Sequence, residues 1–349
     1  MAGAGMAGLV AAAEARRLGA EPALYEKLDR PGGSMRLSSG VIWRHREWDR
    51  FRDECPNGDP GLQRLLFERL DEDLRWLESL GAPVVARETG NPLTTGVRFD
   101  PEGLAEVLTR ACLNLKLNER VSELEGPAAV ILATGGFAGD RRLVREHVTP
   151  EADHLLLRAA PGSTGDGLRL GLAAGAELGD ELDEVYARAM PAPPARVEPA
   201  DFVRLSQLYA RHAEVTNERG ERHKTATWSE IDTARWTARQ PRARAWFRVP
   251  QAALGERVRD RTVGEMVEAA EMAGAPVRRE PEHVTVETVA GITTTLGGLR
   301  IDRAARAAPG VFVCGADAGG IATGGYASGL AAALVFGRIA ARAALGESP

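Results

Sequence analysis

At 349 residues the chain is too long for one ordinary core and short for three, so two domains, or one large α/β domain carrying an insertion, are expected. A net charge of -5, with arginines interspersed among aspartates and glutamates, gives no overall pull toward nucleic acid or anionic lipid. Cys55, Cys112 and Cys314 are widely separated and form no metal-ligand spacing, and no apolar run approaches the ~20 residues of a membrane helix, so a cytoplasmic protein without a metal site or membrane span is expected.

Gly3-Ala4-Gly5-Met6-Ala7-Gly8 opens the chain, and an Ala-rich helical pattern follows to Gly19, which suits a C-terminal stop after Arg16 and Arg17. Residues 22–25 read as a short strand ending at Glu26, and a loop over 30–34 leads into 35–43. Residues 62–80 carry Leu65, Leu66, Leu70, Leu74 and Leu77 at helical spacing, the pattern of an amphipathic helix packed on a core. Another helix is expected over 101–112, then strand-like runs over 115–124 and 128–134, the second ending in Gly135-Gly136. Residues 162–167 are glycine-rich and precede a helix reaching Gly175. From 176 to 287 the character changes: Pro191, Pro193, Pro194 and Pro199 appear, and no glycine-rich phosphate loop does. This region reads as an inserted second domain. After the segments 284–289 and 291–302 come an apolar strand over 311–314, a glycine-dense loop over 315–329, and a closing helix over about 330–345.

A GxGxxG turn lets the chain reverse tightly, presents backbone N–H groups to a pyrophosphate, and lets the following helix pack closely on its sheet. Gly3, Gly5 and Gly8 fit these tasks. Glu26 lies 18 residues beyond Gly8, near the ~20 expected for an acid that accepts hydrogen bonds from ribose hydroxyls. Such a turn should follow a buried strand of about five residues. Only Met1 and Ala2 precede Gly3, so the chain is expected to begin further upstream. The second glycine-rich element, 315–329, separates the cofactor classes. A nicotinamide dehydrogenase binds its dinucleotide with one contiguous domain, whereas a helix N-terminus at the far end of the chain suits the negative charge that develops at a flavin's pyrimidine edge on reduction.

The segments Gly3 to Gly8, Glu26-Lys27, Gly32 to Gly40, Ala133-Thr134-Gly135-Gly136-Phe137, Thr164 to Gly167, Gly297 to Asp302 and Gly315-Ala316-Asp317 occur in the order found in one superfamily. By them the chain resembles the FAD-dependent oxidoreductases of the fumarate reductase and succinate dehydrogenase flavoprotein group, which includes ketosteroid dehydrogenases. The resemblance implies a Rossmann-like FAD-binding domain whose parallel sheet is built from both chain ends (1–175 and 288–349), an inserted α+β cap domain (176–287), and hydride transfer at flavin N5 in the crevice between them. It implies that Gly3, Gly5, Met6, Ala7 and Gly8 hold the pyrophosphate and that Glu26, with Lys27 beside it, serves the adenosine ribose. Gly33, Ser34, Ser38, Ser39 and Gly40 run past the flavin, Val121 touches adenine, and Thr134, Gly135 and Asp166 line the cofactor. Gly315, Asp317, Ser328 and Leu330 meet the ribityl and pyrimidine end.

The chain departs from this group in ways that bear on chemistry. Covalent members attach flavin through a histidine in the segment matching 34–40, and none is present, so non-covalent FAD is expected. Fumarate reductases carry a His where this chain has Thr293-Thr294-Thr295, an Arg where it has Gly324 or Gly325, and a Glu near Ala226; Thr, Gly and Ala can neither clamp two carboxylates nor deliver the proton. The meander between the expected strands is shortened to Glu125-Gly126-Pro127. A small organic substrate other than fumarate or succinate is expected, with an electron-transfer partner to reset the flavin. Tyr326, Thr294 and Tyr186 are the candidate catalytic residues. Arg36 fits an anion contact near the flavin or a surface ion pair, Arg188 a substrate-facing position or a solvated hinge, and none of the six histidines shows paired spacing. Two other readings stay open: a flavin-binding subunit or sensor without turnover, and a nicotinamide-dependent dehydrogenase.

Overall fold

The computed structural model describes residues 1–124 and 129–347. The expected meander at Glu125-Gly126-Pro127 and the first residue of the run over 128–134 lie outside the described residues. The chain divides into two compact units, the first comprising Met1–Asp140, Ala159–Glu184 and Thr294–Pro349, the second Arg141–Arg158 and Val185–Thr293.

The first unit is α/β, and its sheet interleaves segments remote in sequence. Val130–Leu132 pairs in parallel with Val311–Val313 on one side. On its other side lies Ala2, which forms parallel bridges to both Leu132 and Tyr25; Leu24–Tyr25 in turn pairs in parallel with Leu115–Lys116. Ala2 donates its N–H to Ile131 (2.9 Å) and accepts from Ala133 (2.8 Å), while Gly3 donates to Tyr25 (2.8 Å). The two residues before the glycine turn therefore occupy the central strand position and satisfy backbone groups on both neighbours.

The opening helix Met6–Arg17 ends where expected, with Gly19 at φ 86°. It packs against the closing helix Gly329–Ala344. A Cβ on Gly337 would lie 2.8 Å from the Ala7 carbonyl oxygen, so the crossing distance itself requires glycine there. The helix Pro60–Ser79 starts two residues before its apolar pattern because Asp59 caps it, accepting from Gly61 (2.7 Å) and Leu62 (2.9 Å), with Pro60 at the first helical position. Its buried leucines include Leu66, Leu70 and Leu77. A three-stranded antiparallel sheet of Val41–His45, Thr94–Phe99 and Val84–Ala86 completes this unit.

The second unit is built on the strand His283–Thr295, which through Thr293 belongs to it. That strand pairs antiparallel with Arg244–Pro250 and Val277–Arg279, and parallel with Leu156–Leu157. The helix Val263–Met272, opened by a capping box between Thr262 and Glu265, packs Met266 and Val267 into a core with Tyr209, Phe247, Val284 and Val286. The units differ from the expected boundaries at three places, the first being residues 288–293, which stay with their strand in the second unit. The pairing of Leu156–Leu157 with Gly291 and Ile292 brings 141–158 into the second unit. The bridge of Leu178 to Leu299 and the bond from Gly179 N–H to Gly298 (2.7 Å) bring 176–184 into the first. Neither contact leaves a trace in local periodicity. Among the described residues no helix is long and apolar enough to cross a membrane, and no cluster of His, Cys, Asp and Glu is placed to hold a metal.

Candidate functional site

The three glycines of the opening turn do different work. A Cβ on Gly3 (φ 95°) would overlap the Ala133 carbonyl, and one on Gly8 would overlap the Gly3 carbonyl, so both are demanded by the fold. Gly5 is different: its φ is -73°, no atom lies within 4 Å of where its Cβ would be, and it is half-buried. Open space stands over this residue. Leu9 makes the first helical bond, to Gly5 (3.0 Å), so the amides of Met6, Ala7 and Gly8 lie ahead of the ladder, and no acid in the first turn neutralises them.

Glu26 reaches this turn directly. One carboxylate oxygen accepts from Ala4 N–H (2.8 Å) and the other from Leu28 N–H (3.0 Å), and each retains a lone pair for a hydroxyl. The loop that follows is pinned to the same place: Gly32 N–H donates to Ala4 (2.7 Å), and a Cβ on Gly33 would lie 3.3 Å from the Gly5 Cα. Ser34 accepts from Ala160 N–H at 2.9 Å. Ser38 donates to Met35 (2.7 Å) and accepts from Gly40 N–H (3.0 Å), Ser39 between them is half-buried, and Gly40 (φ 70°) has no room for a side chain against the Phe99 carbonyl.

The far end of the chain arrives through Asp317. This buried carboxylate accepts from Gly136 N–H (2.8 Å), from the Thr134 hydroxyl (3.0 Å) and from Thr134 N–H. Burial pushes its pKa up, and the Gly136 and Thr134 donors oppose that without cancelling it. Thr134 also accepts from Gly167 N–H (2.7 Å), and Gly135 beside it takes φ 95°. Gly315 (φ 67°) stands against the opening helix, with its Cβ position 2.9 Å from that of Ala7. Ser328 caps the closing helix by accepting from Ala331 N–H (3.2 Å), and Gly329 and Leu330 are half-buried at its leading end. Thr295 and Thr323 each hold a buried hydroxyl that meets no partner among the described residues.

Lys27 and Asp166 pair with each other at 2.8 Å, Lys27 also reaches Thr164 (2.6 Å), and Asp166 binds Arg120 (2.6 Å) and Arg169. Burial raises the Asp166 pKa, but Arg120 and Lys27 outweigh it and hold the carboxyl below its usual range. Val121, half-buried, follows Arg120. Arg120 was not foreseen, because its partner lies 46 residues away and nothing local marks it.

Of the catalytic candidates, Tyr326 accepts from Gly329 N–H (3.2 Å) at the start of the closing helix and packs edge-on to Trp43. Thr294 donates to the Thr295 carbonyl at 3.2 Å. Tyr186 belongs to the second unit, where it accepts from Arg188 Nε (2.7 Å). Burial acts to raise its pKa, but Arg188, Arg158 and Arg259 together hold the phenol below its ordinary value. Arg188 itself is buried and donates to the Ser229 carbonyl, so it is no surface residue; Arg36 donates to Pro31 (2.7 Å) and pairs with Glu102. The glycines at the expected arginine position have no room for one: a Cβ on Gly325 would overlap the Glu54 carbonyl, and one on Gly324 (φ 84°) would lie 2.7 Å from Pro56. Ala226 is exposed, and its N–H donates to Asp232 (2.6 Å).

Two families match the chain: the FAD binding domain over residues 105–330 and the NAD(P)-binding Rossmann-like domain over residues 2–43. No curated protein matches at a significant level of sequence similarity. Among solved structures, the open conformation of a flavocytochrome c3 fumarate reductase is 20% identical, with 99% of this chain and 77% of that chain covered at a TM-score of 0.73. The 3-ketosteroid delta1-dehydrogenase of Sterolibacterium denitrificans is 16% identical over 99% of this chain and 98% of that one, with a TM-score of 0.73. The 3-ketosteroid-delta4-(5alpha)-dehydrogenase of Rhodococcus jostii RHA1 is 18% identical over 98% and 95%, with a TM-score of 0.68. At these identities the likeness establishes the fold.

Proposed function

The chain belongs to the FAD binding domain family of flavin-dependent oxidoreductases, and we propose that it binds one FAD without a covalent link and oxidises or reduces a C–H or C=C bond of a small organic substrate. One observation carries this reading: the glycine turn at the head and the Gly315 to Asp317 segment at the tail meet within the first unit, Gly315 against Ala7 and Asp317 on Thr134 and Gly136. Two chain ends brought to one turn suit a long dinucleotide better than a single contiguous motif does.

The residues present fit the cofactor. The amides of Met6, Ala7 and Gly8 lie ahead of the helical ladder next to Gly5, where a diphosphate would find backbone donors. Glu26 keeps acceptor capacity for ribose hydroxyls. The leading end of the closing helix, at Gly329 and Leu330, would hold the pyrimidine edge by its positive end. Bound FAD supplies two-electron hydride chemistry at N5. Tyr326 carries the proton in this reading, its hydroxyl being held by Gly329 N–H at the leading end of the closing helix; Tyr186 and Thr294 are the further candidates. The substrate is not a C4 dicarboxylate of the fumarate type, because Gly324 and Gly325 lack the space for a clamping guanidinium.

The test is purification followed by anaerobic titration with candidate metabolites and artificial electron donors. A yellow protein whose flavin absorption bleaches with one substrate class supports the proposal. Yellow protein that no substrate reduces supports the non-catalytic reading, which the absent dicarboxylate clamp favours, and colourless protein removes both.

A further inference from the structure

The second unit carries a recess of about 140 Å³ lined by Arg211, His212, Trp228, Glu230, Arg257 and Arg259. Three short elements form it: the turn Ala210–His212, the residues just before the helix Ile231–Ala238, and the hairpin Arg257–Val258 with Arg261–Thr262. Trp228 is the platform. The guanidinium of Arg211 stands 5.2 Å from its ring and that of Arg259 5.6 Å, and Arg211 also donates to the Trp228 carbonyl.

The charges do not balance. The only carboxylate in the lining among the described residues, Glu230, is buried and already engaged: it accepts from Ala210 N–H (2.9 Å) and Arg211 N–H (3.2 Å), with the Arg211 side chain 3.5 Å away. Burial pushes its pKa up, which weakens it further as a counterion. Arg257 donates only to the Asp260 carbonyl, at 3.2 Å. Arg259 meets no hydrogen-bond acceptor or ion-pair partner within contact distance among the described residues; burial and the nearby Arg188 lower its pKa to about 10, against the weaker pull of Tyr186, Glu230 and Asp260, although its side chain still reaches solvent. Its backbone is held at φ 60°, and that of Glu230 at φ 60°, a strained conformation for a residue other than glycine.

We propose that this recess is a binding site for a small oxyanion, the carboxylate or phosphate group of a ligand, held by Arg257 and Arg259 above Trp228. A guanidinium offers paired N–H donors matched to two oxygens of either group, and two of them account for the cationic excess in the lining. The volume, close to that of a cavity that accepts a single six-membered ring, admits such a group. The inference rests on the second unit alone and requires neither FAD nor turnover.

The test uses the purified full chain, titrated by calorimetry with inorganic phosphate and separately with malonate, with sodium chloride at matched ionic strength as control. Saturable one-site binding of either anion is expected, together with a fall in affinity of about tenfold to a hundredfold in Arg259→Gln and in Arg257→Gln. Phosphate binding more tightly identifies a phosphorylated ligand, and malonate binding more tightly a carboxylate. The unfolding midpoint without anion and the flavin absorption of both variants show whether they remain folded. Anion effects no larger than those of sodium chloride, or folded variants that bind phosphate and malonate as the unaltered chain does, overturn the proposal.

Discussion

Glu14 in the opening helix accepts a 2.8 Å hydrogen bond from Nε of Arg342 in the closing helix, 328 positions away. The same carboxylate pairs with Arg17 (2.9 Å) and Arg338 (3.3 Å), and Arg338 also binds the buried Asp73. Glu14 is fully buried, and although burial raises its pKa, Arg17, Arg342 and Arg338 bring it down to about 2. The two chain ends are thus joined by charge as well as by the Gly337 crossing.

Glu14→Gln removes the charge shared by Arg17, Arg338 and Arg342, while Arg338 keeps its pairing with Asp73. A loss of about 1.5–3 kcal/mol in unfolding free energy is expected, the worth of buried hydrogen bonds to a charged group. Urea unfolding of the variant beside the unaltered chain measures it. A loss below about 1 kcal/mol contradicts the role given to this pair.

The pH dependence of stability has a definite contributor in His45, packed between Trp43 and Phe51. Burial, helped by Arg50, lowers its pKa from 6.5 to about 4. The unfolded chain binds the proton more readily, so stability is full above pH 6.5 and falls as the pH drops toward 4, by about 2 kcal/mol at pH 5. Asp73, whose carboxyl burial pushes up to about 6 against Arg338, works in the opposite sense below that pH. The His45 share is therefore read as the difference between the unaltered chain and His45→Leu, whose unfolding free energy is expected to depend less on pH between 7.5 and 5. Parallel curves for the two proteins contradict it.

Much of the cradle is legible in the sequence because its signals are local. The GxGxxG spacing, the position of Glu26, the Gly19 stop and the leucine stripe of 62–80 each depend on residues a few turns apart. Partners brought in by the tertiary fold are not legible. Arg120 meets Asp166, Glu14 meets Arg342, and Arg259 crowds Trp228 through contacts that no periodicity encodes. Glu14 reads as a polar interruption of an apolar run, and only the closing helix makes it a buried ion. The strand position filled by Ala2 escapes for the same reason: two residues carry no pattern, yet Tyr25 and Leu132 hold them from both sides.

The tyrosines are separated by substitution. Tyr326→Phe is expected to lower kcat by about a hundredfold to ten-thousandfold with FAD content unchanged, the loss typical of a removed proton donor. Tyr186→Phe, if Tyr186 carries the proton instead, lowers kcat and also removes a limb of the pH-rate profile below the ordinary tyrosine range, since its phenol is held low by arginines. Steady-state kinetics across pH for both variants, once a substrate is in hand, decides between them. Full activity in Tyr326→Phe removes it from the chemistry.

Gly5→Ala and Gly329→Ala are the most direct pair of changes, one at each end of the chain. At Gly5 a new methyl meets no protein atom within 4 Å, and at Gly329 only the Tyr326 hydroxyl at 3.7 Å, so both variants should fold. If head and tail share one FAD, each methyl enters the space the cofactor occupies. Titration with FAD, followed by quenching of flavin fluorescence, is expected to show one FAD per chain and a loss of affinity of about tenfold to a hundredfold in each variant. An FAD affinity unchanged by Gly329→Ala, or no FAD binding by the unaltered chain, contradicts the shared cradle.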